Sequence, residues 1–236
     1  MLVDSDDELS ENALEILYTK AQKTNADIVH AKASVFLTNA PTNEQENRLK
    51  KIETKTQNVF AGELFGEEIR KKWILENKHS SFLWAKLIRH SVYKKAFDFI
   101  PFMKCTMAED VVQYFFITTF SQKYVGIQDC VYRYRADSGI TSERKIETLD
   151  EWEKVCEAAE VYKAIFATIL EKNASVSENE KESLNTMCRT HLASSLLQLQ
   201  TCVSQEIYEQ AKEILFEHWG ESFVRKIEAI LHKSSL

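Results

Sequence analysis

Chain-breaking residues are scarce in this sequence, and that scarcity constrains the fold more than any other single feature. Only 5 glycines and 2 prolines occur among the 236 residues. Architectures made of strands and tight turns need many more, because such turns depend on positive φ angles or on the fixed φ of proline. The composition therefore favours a chain built largely from long helices.

The helical character is strongest after about residue 150. Few breakers occur there, and helices are predicted at about 150–173, 177–203, 205–219 and 221–233. Ser177 and Glu180 form a capping-box pattern, which predicts a helix start. The earlier part of the chain mixes strand and helix signals. We therefore expect an α/β class, with a mixed domain over 1–145 and an all-helical extension over 146–236.

The mixed part carries alternating helix and strand patterns. The predicted elements are a helix from about Glu11 to Thr24 capped by Ser10, a strand over 27–37, a helix over 62–78, a strand over 82–88, a short helix over 91–96, a helix over 108–120 and a strand over 124–135. The polar stretch 38–56 is typical of a surface excursion. Asp137, Ser138 and Gly139 predict a turn after the last strand.

Charge and cysteine usage exclude several classes of protein. The net charge is −6, with 30 basic and 36 acidic residues, so nothing in the electrostatics points to nucleic acid as a partner. Five widely spaced cysteines without a CxxC pair indicate reduced thiols rather than a thiolate metal site. Neither a signal-peptide pattern nor a window of about 18 apolar residues occurs. These features predict a soluble, cytoplasmic protein.

The acidic start of the chain is the first candidate for a functional site. The apolar run Met1-Leu2-Val3 leads directly into Asp4, Asp6 and Asp7. Carboxylates at the carboxyl edge of a strand could hold Mg²⁺ or Mn²⁺ against a substrate phosphate. The alternative is a turn followed by acids that interact with a helix N-terminus.

Two further polar groupings follow in the mixed part. Glu109 and Asp110 open a predicted helix after an irregular stretch, although two acids in a first helical turn also suit the helix dipole. The strand end Tyr132-Arg133-Tyr134-Arg135 is basic, and Ser138, Thr141 and Ser142 follow it. Acids to hold a cation, an acid to deprotonate a hydroxyl and cations to steady developing charge are together what nucleotide-sugar chemistry requires.

Several stretches, in this order, resemble the family 2 glycosyltransferases. The segment from Leu2 to Leu9 is similar to the DXD segment of that family. The similarity continues at Ala26-Asp27-Ile28-Val29, Leu83-Trp84-Ala85-Lys86-Leu87-Ile88, Ala108-Glu109-Asp110 and the stretch from Asp129 to Arg135. Order and spacing both fit over 1–142.

The resemblance implies an incomplete GT-A-like (Rossmann-like) fold and a metal-dependent, inverting sugar transfer. The donor would be a nucleotide-diphosphate sugar such as a UDP-sugar, the cation Mg²⁺ or Mn²⁺, and the acceptor a glycan or a lipid-linked molecule. Such activity would belong to bacterial surface polysaccharide assembly. Contact with the inner face of the membrane would then be peripheral.

The resemblance also assigns roles by position. Asp6 would be the metal ligand with Asp4 supporting it, and Asp7 would lie near the ribose or the donor sugar. Asp110 would be the catalytic base, and Glu109 would contact the acceptor or orient the loop. The remaining assignments are Trp84 and Lys86 as lining of the donor–acceptor cleft, and Arg133 and Arg135 as contacts to the diphosphate or acceptor. For the two arginines, an amphipathic strand end on the surface is an equally good interpretation.

One departure from the family bears on activity. In the family a nucleotide-binding βαβ half precedes the DXD strand, whereas this sequence begins on that strand. A parallel strand is normally buried on both faces, so an uncovered one would expose an aggregation-prone edge. Three arrangements remain open: a deleted or split gene product, a protein partner or second copy that covers the sheet edge, and a rearranged helical packing. A non-catalytic remnant or helical assembly module is the alternative function.

Overall fold

The computed structural model describes residues 1–38, 43–136, 145–171 and 176–234. Within it the chain divides into two compact units. The first, called the sheet unit, comprises Met1–Ile100 and Gln113–Ser142, and the second, called the helical unit, comprises Pro101–Val112 and Glu143–Leu236. The mixed α/β class expected from the sequence is confirmed.

The first ten elements run from the acidic start to the basic strand end. They are β1 (Glu8–Leu9), α1 (Ala13–Thr24), β2 (Ile28–Phe36), α2 (Asn43–Thr56), β3 (Gly62–Phe65), α3 (Glu67–Ile74), β4 (Lys86–Ile88), α4 (His90–Phe97), α5 (Glu109–Phe120) and β5 (Lys123–Arg135). The boundary between the two units falls inside α5, between Val112 and Gln113.

The strands of the described chain form one sheet in the order β1-β5-β2-β4, and β3 pairs with the beginning of β5. The central pair β2–β5 is parallel, and the pairings of β1, β3 and β4 are antiparallel. The long strand β5 therefore has β3 beside its first half and β1 beside its last residues. Gly126 is required in β5, because a Cβ there would lie 1.7 Å from the carbonyl oxygen of Phe60.

The core of the sheet unit lies between α1 and the β2–β5 pair. Ala13 and Leu17 project from α1 at helical spacing and are buried against Val29 of β2 and Val131 of β5. Leu17 is fully buried, and burying a leucine side chain contributes about 1.5–3 kcal/mol. This packing fixes the strands from which the candidate site projects.

The strand expected at residues 1–3, before the acids, is not formed. Residues 1–3 are irregular, and Leu2 and Val3 are exposed. The first strand is instead β1, whose Glu8 pairs antiparallel with Arg133 of β5. Asp4, Asp6 and Asp7 therefore lie in or next to a turn before an antiparallel edge strand. The contacts that hold this turn come from β5.

Several other predicted elements need correction. Residues 43–56 of the predicted surface excursion form helix α2, and 39–42 lie outside the described residues. The helix predicted over 62–78 begins as strand β3, and only 67–74 is helical, because Gly66 has a φ of 52° between them. The strand predicted over 82–88 is limited to 86–88, and α1 begins after Asn12 rather than Ser10. The predicted turn at 137–139 lies outside the described residues.

The helical unit contains the remaining helices. They are α6 (Leu149–Cys156), α7 (Ala158–Glu171), α8 (Glu178–Thr201), α9 (Tyr208–Trp219) and α10 (Glu221–Ser234). The capping box of Ser177 and Glu180 is confirmed at the start of α8. A single helix predicted over 150–173 is wrong, since Glu157 separates α6 from α7. Across the described residues, none of the helices is both long and apolar enough to cross a membrane.

Candidate functional site

The acidic segment forms a turn that is tied to the end of β5. The backbone N–H of Asp7 donates to the carbonyl oxygen of Asp4 at 3.2 Å, which closes the turn. The hydroxyl of Tyr132 donates to Oδ2 of Asp7 at 2.6 Å and accepts from the backbone N–H of Asp4 at 3.1 Å. The backbone N–H of Arg135 donates to Oδ1 of Asp7 at 2.7 Å. One tyrosine and one strand amide therefore set the position of the whole turn.

The three acids interact electrostatically within this turn. Partial desolvation raises the pKa of Asp4, and the charge of Asp6 raises it further. Partial burial also raises the pKa of Asp7, while its hydrogen bonds to Arg135 and Tyr132 lower it and the charges of Asp6 and Asp4 raise it again, with a net rise. Desolvation is thus the main cause of both shifts, and the neighbouring carboxylates add to it.

An aromatic stack lies directly behind the turn. The Trp84 ring stacks on Phe82 with centroids 4.6 Å apart, on Tyr132 at 5.1 Å and on Tyr134 at 5.5 Å. Trp84 is 7% exposed, and Ala85 after it has a φ of 56°, which turns the chain into β4. Because Tyr132 belongs to both the stack and the acidic turn, the structure brings Trp84 together with Asp4 and Asp7.

Lys86 lies in the interior of the sheet unit, where its side chain is fully buried. Its ammonium donates to the carbonyl oxygen of Phe82 and lies 4.8 Å from the centroid of the Tyr114 ring. Carbonyl and aromatic contacts of this kind stabilise the ammonium group of a buried lysine. In this position Lys86 holds Phe82, the first ring of the stack, and its predicted contact with the cleft remains a prediction.

Two buried histidines, His30 and His79, interact electrostatically with the Lys86 ammonium. Nδ1 of His30 is hydrogen-bonded to the Tyr124 hydroxyl at 2.9 Å, and Nδ1 of His79 to the Tyr114 hydroxyl at 2.9 Å. Burial, and then the charge of Lys86, lowers the pKa of His79 to about 4 and that of His30 well below its usual range. Both histidines are therefore neutral in the folded protein at pH 7.

The two arginines extend from the same strand end as the acidic turn. Arg133 forms an ion pair with Glu8 and lies over the Phe36 ring, with its guanidinium carbon 4.8 Å from the centroid. Nη2 of Arg135 donates to the Thr38 hydroxyl at 3.2 Å. The following polar residues Ser138, Thr141 and Ser142 lie outside the described residues.

Glu109 and Asp110 form the first turn of α5 and belong to the helical unit. Ala108 before them has a φ of 64°, and its carbonyl oxygen accepts from the N–H of Val111 at 2.9 Å. Asp110 is half-buried and Glu109 is exposed. Their predicted roles as base and acceptor contact are not tested by this geometry and remain predictions.

The acidic turn offers a limited ligand set for a divalent cation. Both carboxylate oxygens of Asp7 accept hydrogen bonds, so this side chain holds the turn in place, and the predicted metal ligands are Asp6 and Asp4. Within the described ranges, no group of three or more histidine, cysteine or acidic side chains could hold a metal ion. Mg²⁺ is usually held by one or two carboxylates together with substrate phosphates and water. Metal binding by Asp6 and Asp4 in the turn remains a prediction.

Two features of the site escaped the sequence prediction. Tyr132 was recognised only as part of a motif, although its hydroxyl organises the turn. Phe82 was not assigned a role, although its ring begins the stack. The alternating aromatic residues at 132 and 134 were the signal available for Tyr132, whereas nothing in the sequence identified its partner 128 residues away.

No protein-family model and no curated protein matches the sequence. The chain is similar in structure to residues 1–349 of S. aureus TarS. In complex with UDP-GlcNAc, that protein gives a TM-score of 0.45 at 13% identity, over 98% of this chain and 67% of TarS 1–349. In complex with UDP the values are 0.43, 12%, 98% and 66%, and a third structure gives 0.40, 13%, 98% and 66%. The chain thus spans about two thirds of these structures. Similarity at this level carries no conclusion about function.

Proposed function

We propose that this chain is part or all of a glycosyltransferase that moves a sugar from a nucleotide-diphosphate donor to a glycan or lipid-linked acceptor, with inversion at the anomeric carbon. The observation that carries the proposal is the acidic turn Asp4–Asp7, which Tyr132 holds against the Trp84 stack. Clustered acids with raised pKa values beside aromatic rings suit a phosphate-bound cation next to a sugar.

In this proposal Asp6 and Asp4 hold Mg²⁺ or Mn²⁺. The cation, when bound, neutralises the charge that develops on the diphosphate leaving group. Asp7 attaches the turn to β5 through its hydrogen bonds to Tyr132 and Arg135 and lies near the ribose or the donor sugar. Arg133 and Arg135, on the same strand end, supply positive charge near the diphosphate or the acceptor. Trp84 and Lys86 shape the cleft, Lys86 by holding Phe82.

The proton that must leave the acceptor hydroxyl is assigned to Asp110, with Glu109 orienting the acceptor. A carboxylate within reach of the acceptor hydroxyl can act as the general base for this step. Changing Asp110 to Asn should abolish transfer and leave donor binding largely intact. Transfer that survives this change would overturn the assignment of Asp110 as the base.

The direct test is isothermal titration of the full chain with UDP in the presence of Mn²⁺. We expect Mn²⁺-dependent binding of UDP that Asp6→Asn removes, because the cation would lose its principal ligand. Asp98→Asn is the matched control, since Asp98 is an exposed carboxylate at the end of α4. Absence of binding by this chain, with binding by a version extended at its N-terminus, would show that the chain does not act alone. UDP-GlcNAc, which the TarS complex contains, is a suitable first sugar donor.

A second candidate function is assembly through the helical unit. Large apolar side chains are exposed on its helices, including Leu197, which is 59% exposed, and Ile230, which is 49% exposed. Exposed apolar surface of this kind is typical of contacts between proteins. Light scattering after size exclusion tests this function. A clean monomer that binds no hydrophobic dye would argue against it.

A further inference from the structure

A buried carboxylate in the helical unit holds the segment that leads to Asp110. Glu157 separates α6 from α7 and is fully buried. Its Oε2 accepts from the backbone N–H of Thr106 at 3.0 Å and from the Thr106 hydroxyl at 2.7 Å. Its Oε1 lies 2.9 Å from the ammonium of Lys104. One side chain thus binds two residues of an otherwise irregular stretch.

These contacts keep Glu157 charged although it lies away from water. Burial raises the pKa of its carboxyl group, but the hydrogen bonds from Lys104 and Thr106 and the charge of Lys104 more than offset that effect, so the pKa is lowered overall. Hydrogen bonds to a charged acceptor are about twice as strong as neutral ones. The attachment of the stretch 104–106 is therefore a strong local constraint.

The constraint acts on the residues that begin α5. Cys105 donates through its thiol to the carbonyl oxygen of Met107 at 2.9 Å, which continues the ordered path toward the helix. Ala108 then adopts a φ of 64°, a left-handed conformation that is unfavourable for a residue with a Cβ and persists only where its surroundings enforce it. Glu109 and Asp110 follow immediately. The orientation of Asp110 in the first turn of α5 thus depends on the contacts of 104–106 with Glu157.

We propose that Glu157 is a positioning residue for Asp110, acting through Thr106 and Lys104 on the backbone turn at Ala108. This inference rests on the proposed function, since it is the glycosyl-transfer role of Asp110 that gives the position its value. Glu157 itself touches no reacting group. Its contribution is to keep the carboxylate of Asp110 in one orientation, and small displacements of a catalytic group are costly.

The test combines a structural and a kinetic measurement on the full chain. Glu157→Gln removes the negative charge. Thr106→Val, at an exposed position, removes the hydroxyl hydrogen bond to the same carboxylate and keeps the backbone N–H that also donates to it. Glu182→Gln is the matched control, because Glu182 is a 65% exposed carboxylate of the same unit paired with Arg189 at 3.2 Å. The rate of amide hydrogen exchange in peptides covering 104–112 measures how firmly this stretch is held by Glu157. UDP release from UDP-GlcNAc with Mn²⁺, in which water takes the place of the acceptor hydroxyl and GlcNAc is the second product, reports kcat and the donor KM.

We expect faster exchange over 104–112 in both variants and a fall in kcat of about 10- to 100-fold at an unchanged donor KM. The double variant should lose little more than either single variant, because both break one contact. A general loss of stability would instead change exchange throughout the helical unit and lower the active fraction in proportion to unfolding.

The outcomes separate this inference from the function on which it rests. Faster exchange with unchanged kcat overturns the positioning role and leaves glycosyl transfer standing. Unchanged exchange in Thr106→Val overturns the attachment itself. An unaltered chain that releases no UDP overturns the proposed function, and the role of Glu157 in it falls as well. Reduced kcat in the Glu182→Gln control would also count against a specific role for Glu157.

Discussion

Asp7 in the sheet unit and Glu157 in the helical unit are bonded alike, yet their pKa values shift in opposite directions. Each carboxylate accepts one hydroxyl and one backbone N–H: Tyr132 and Arg135 for Asp7, and Thr106 twice for Glu157. Desolvation raises the pKa of both. The difference lies in the neighbouring charges.

Glu157 has the ammonium of Lys104 beside it, whereas Asp7 has the carboxylates of Asp4 and Asp6. The charge of Glu157 is therefore paired within the protein, through the ion pair of its Oε1 with Lys104. Under the proposed function, a bound cation would offset the charges of Asp4 and Asp6 that raise the pKa of Asp7. Two carboxylates with the same kinds of hydrogen bond can therefore differ in pKa through the sign of the neighbouring charge.

The largest expected effect on stability in acid comes from His79. It has to be accounted for before the pH dependence of the two carboxylates can be compared. The pKa of His79 is lowered to about 4, so the unfolded chain takes up a proton below pH 6.5 that the folded chain refuses. Stability contributed by neutral His79 is present above pH 6.5 and is lost as the pH falls toward 4, at a cost of about 3 kcal/mol. Urea unfolding between pH 7.5 and 4 measures the loss. His79→Gln should make the curve shallower, and His30, whose pKa is also lowered, should account for the slope that remains. A native curve that is already flat would contradict the assignment.

The next largest effect concerns Tyr132. Tyr132→Phe keeps the ring in the Trp84 stack and removes the hydroxyl that binds Asp7 and Asp4. We expect a loss of about 1.5–3 kcal/mol in the free energy of unfolding, since a hydrogen bond to a charged group is broken, together with weaker Mn²⁺-dependent binding of UDP. Chemical denaturation measures the first and calorimetry the second. Tyr18→Phe, at a 60% exposed tyrosine, should change neither.

Neutralising one acid at each site should give opposite signs. Glu157→Gln should lower the free energy of unfolding by about 1 kcal/mol or more, because a buried charge that accepts from Thr106 and pairs with Lys104 is replaced by a neutral group. Asp6→Asn should raise it by less than about 1 kcal/mol without divalent cations, because repulsion in the acidic turn is relieved. Thermal unfolding in a chelator compares the two variants. Changes of the same sign would remove the distinction between the sites.

The smallest effect is expected at Lys104. This side chain is 73% exposed, so Lys104→Met should lower the thermal midpoint only slightly. The depressed pKa of Glu157 contributes stability above its unfolded value near 4.5, and that contribution disappears as the pH falls through the folded value. The difference between Lys104→Met and the native chain should therefore be present at pH 7 and vanish in acid, and high salt should reduce it. A difference that persists at low pH would have another cause.

The sequence was most informative where a local pattern determines the structure. Helix α5, strand β5 and the capping box of Ser177 were predicted within a residue or two, because apolar periodicity and end signals act within a few positions.

Prediction failed where distant partners decide. Gly62 to Phe65 carry apolar residues that suit a helix, but pairing with Lys123 to Gly126 makes them a strand. The acids at 4–7 were placed at the end of a parallel strand, yet the contacts that fix them come from Tyr132 and Arg135. Glu157 interrupts a continuous helical pattern because its carboxylate binds Thr106. No window of the sequence contains both members of such a pair.

The hydrogen bond between Asp4 and Tyr132 joins residues 128 positions apart in the chain. During synthesis the acids leave the ribosome long before the strand that holds them. Contacts of such separation form slowly, because a long loop must close before they give any stabilisation. We therefore expect the acidic turn to be among the last parts of the sheet unit to become ordered, so that cation affinity would appear only when folding of that unit is complete.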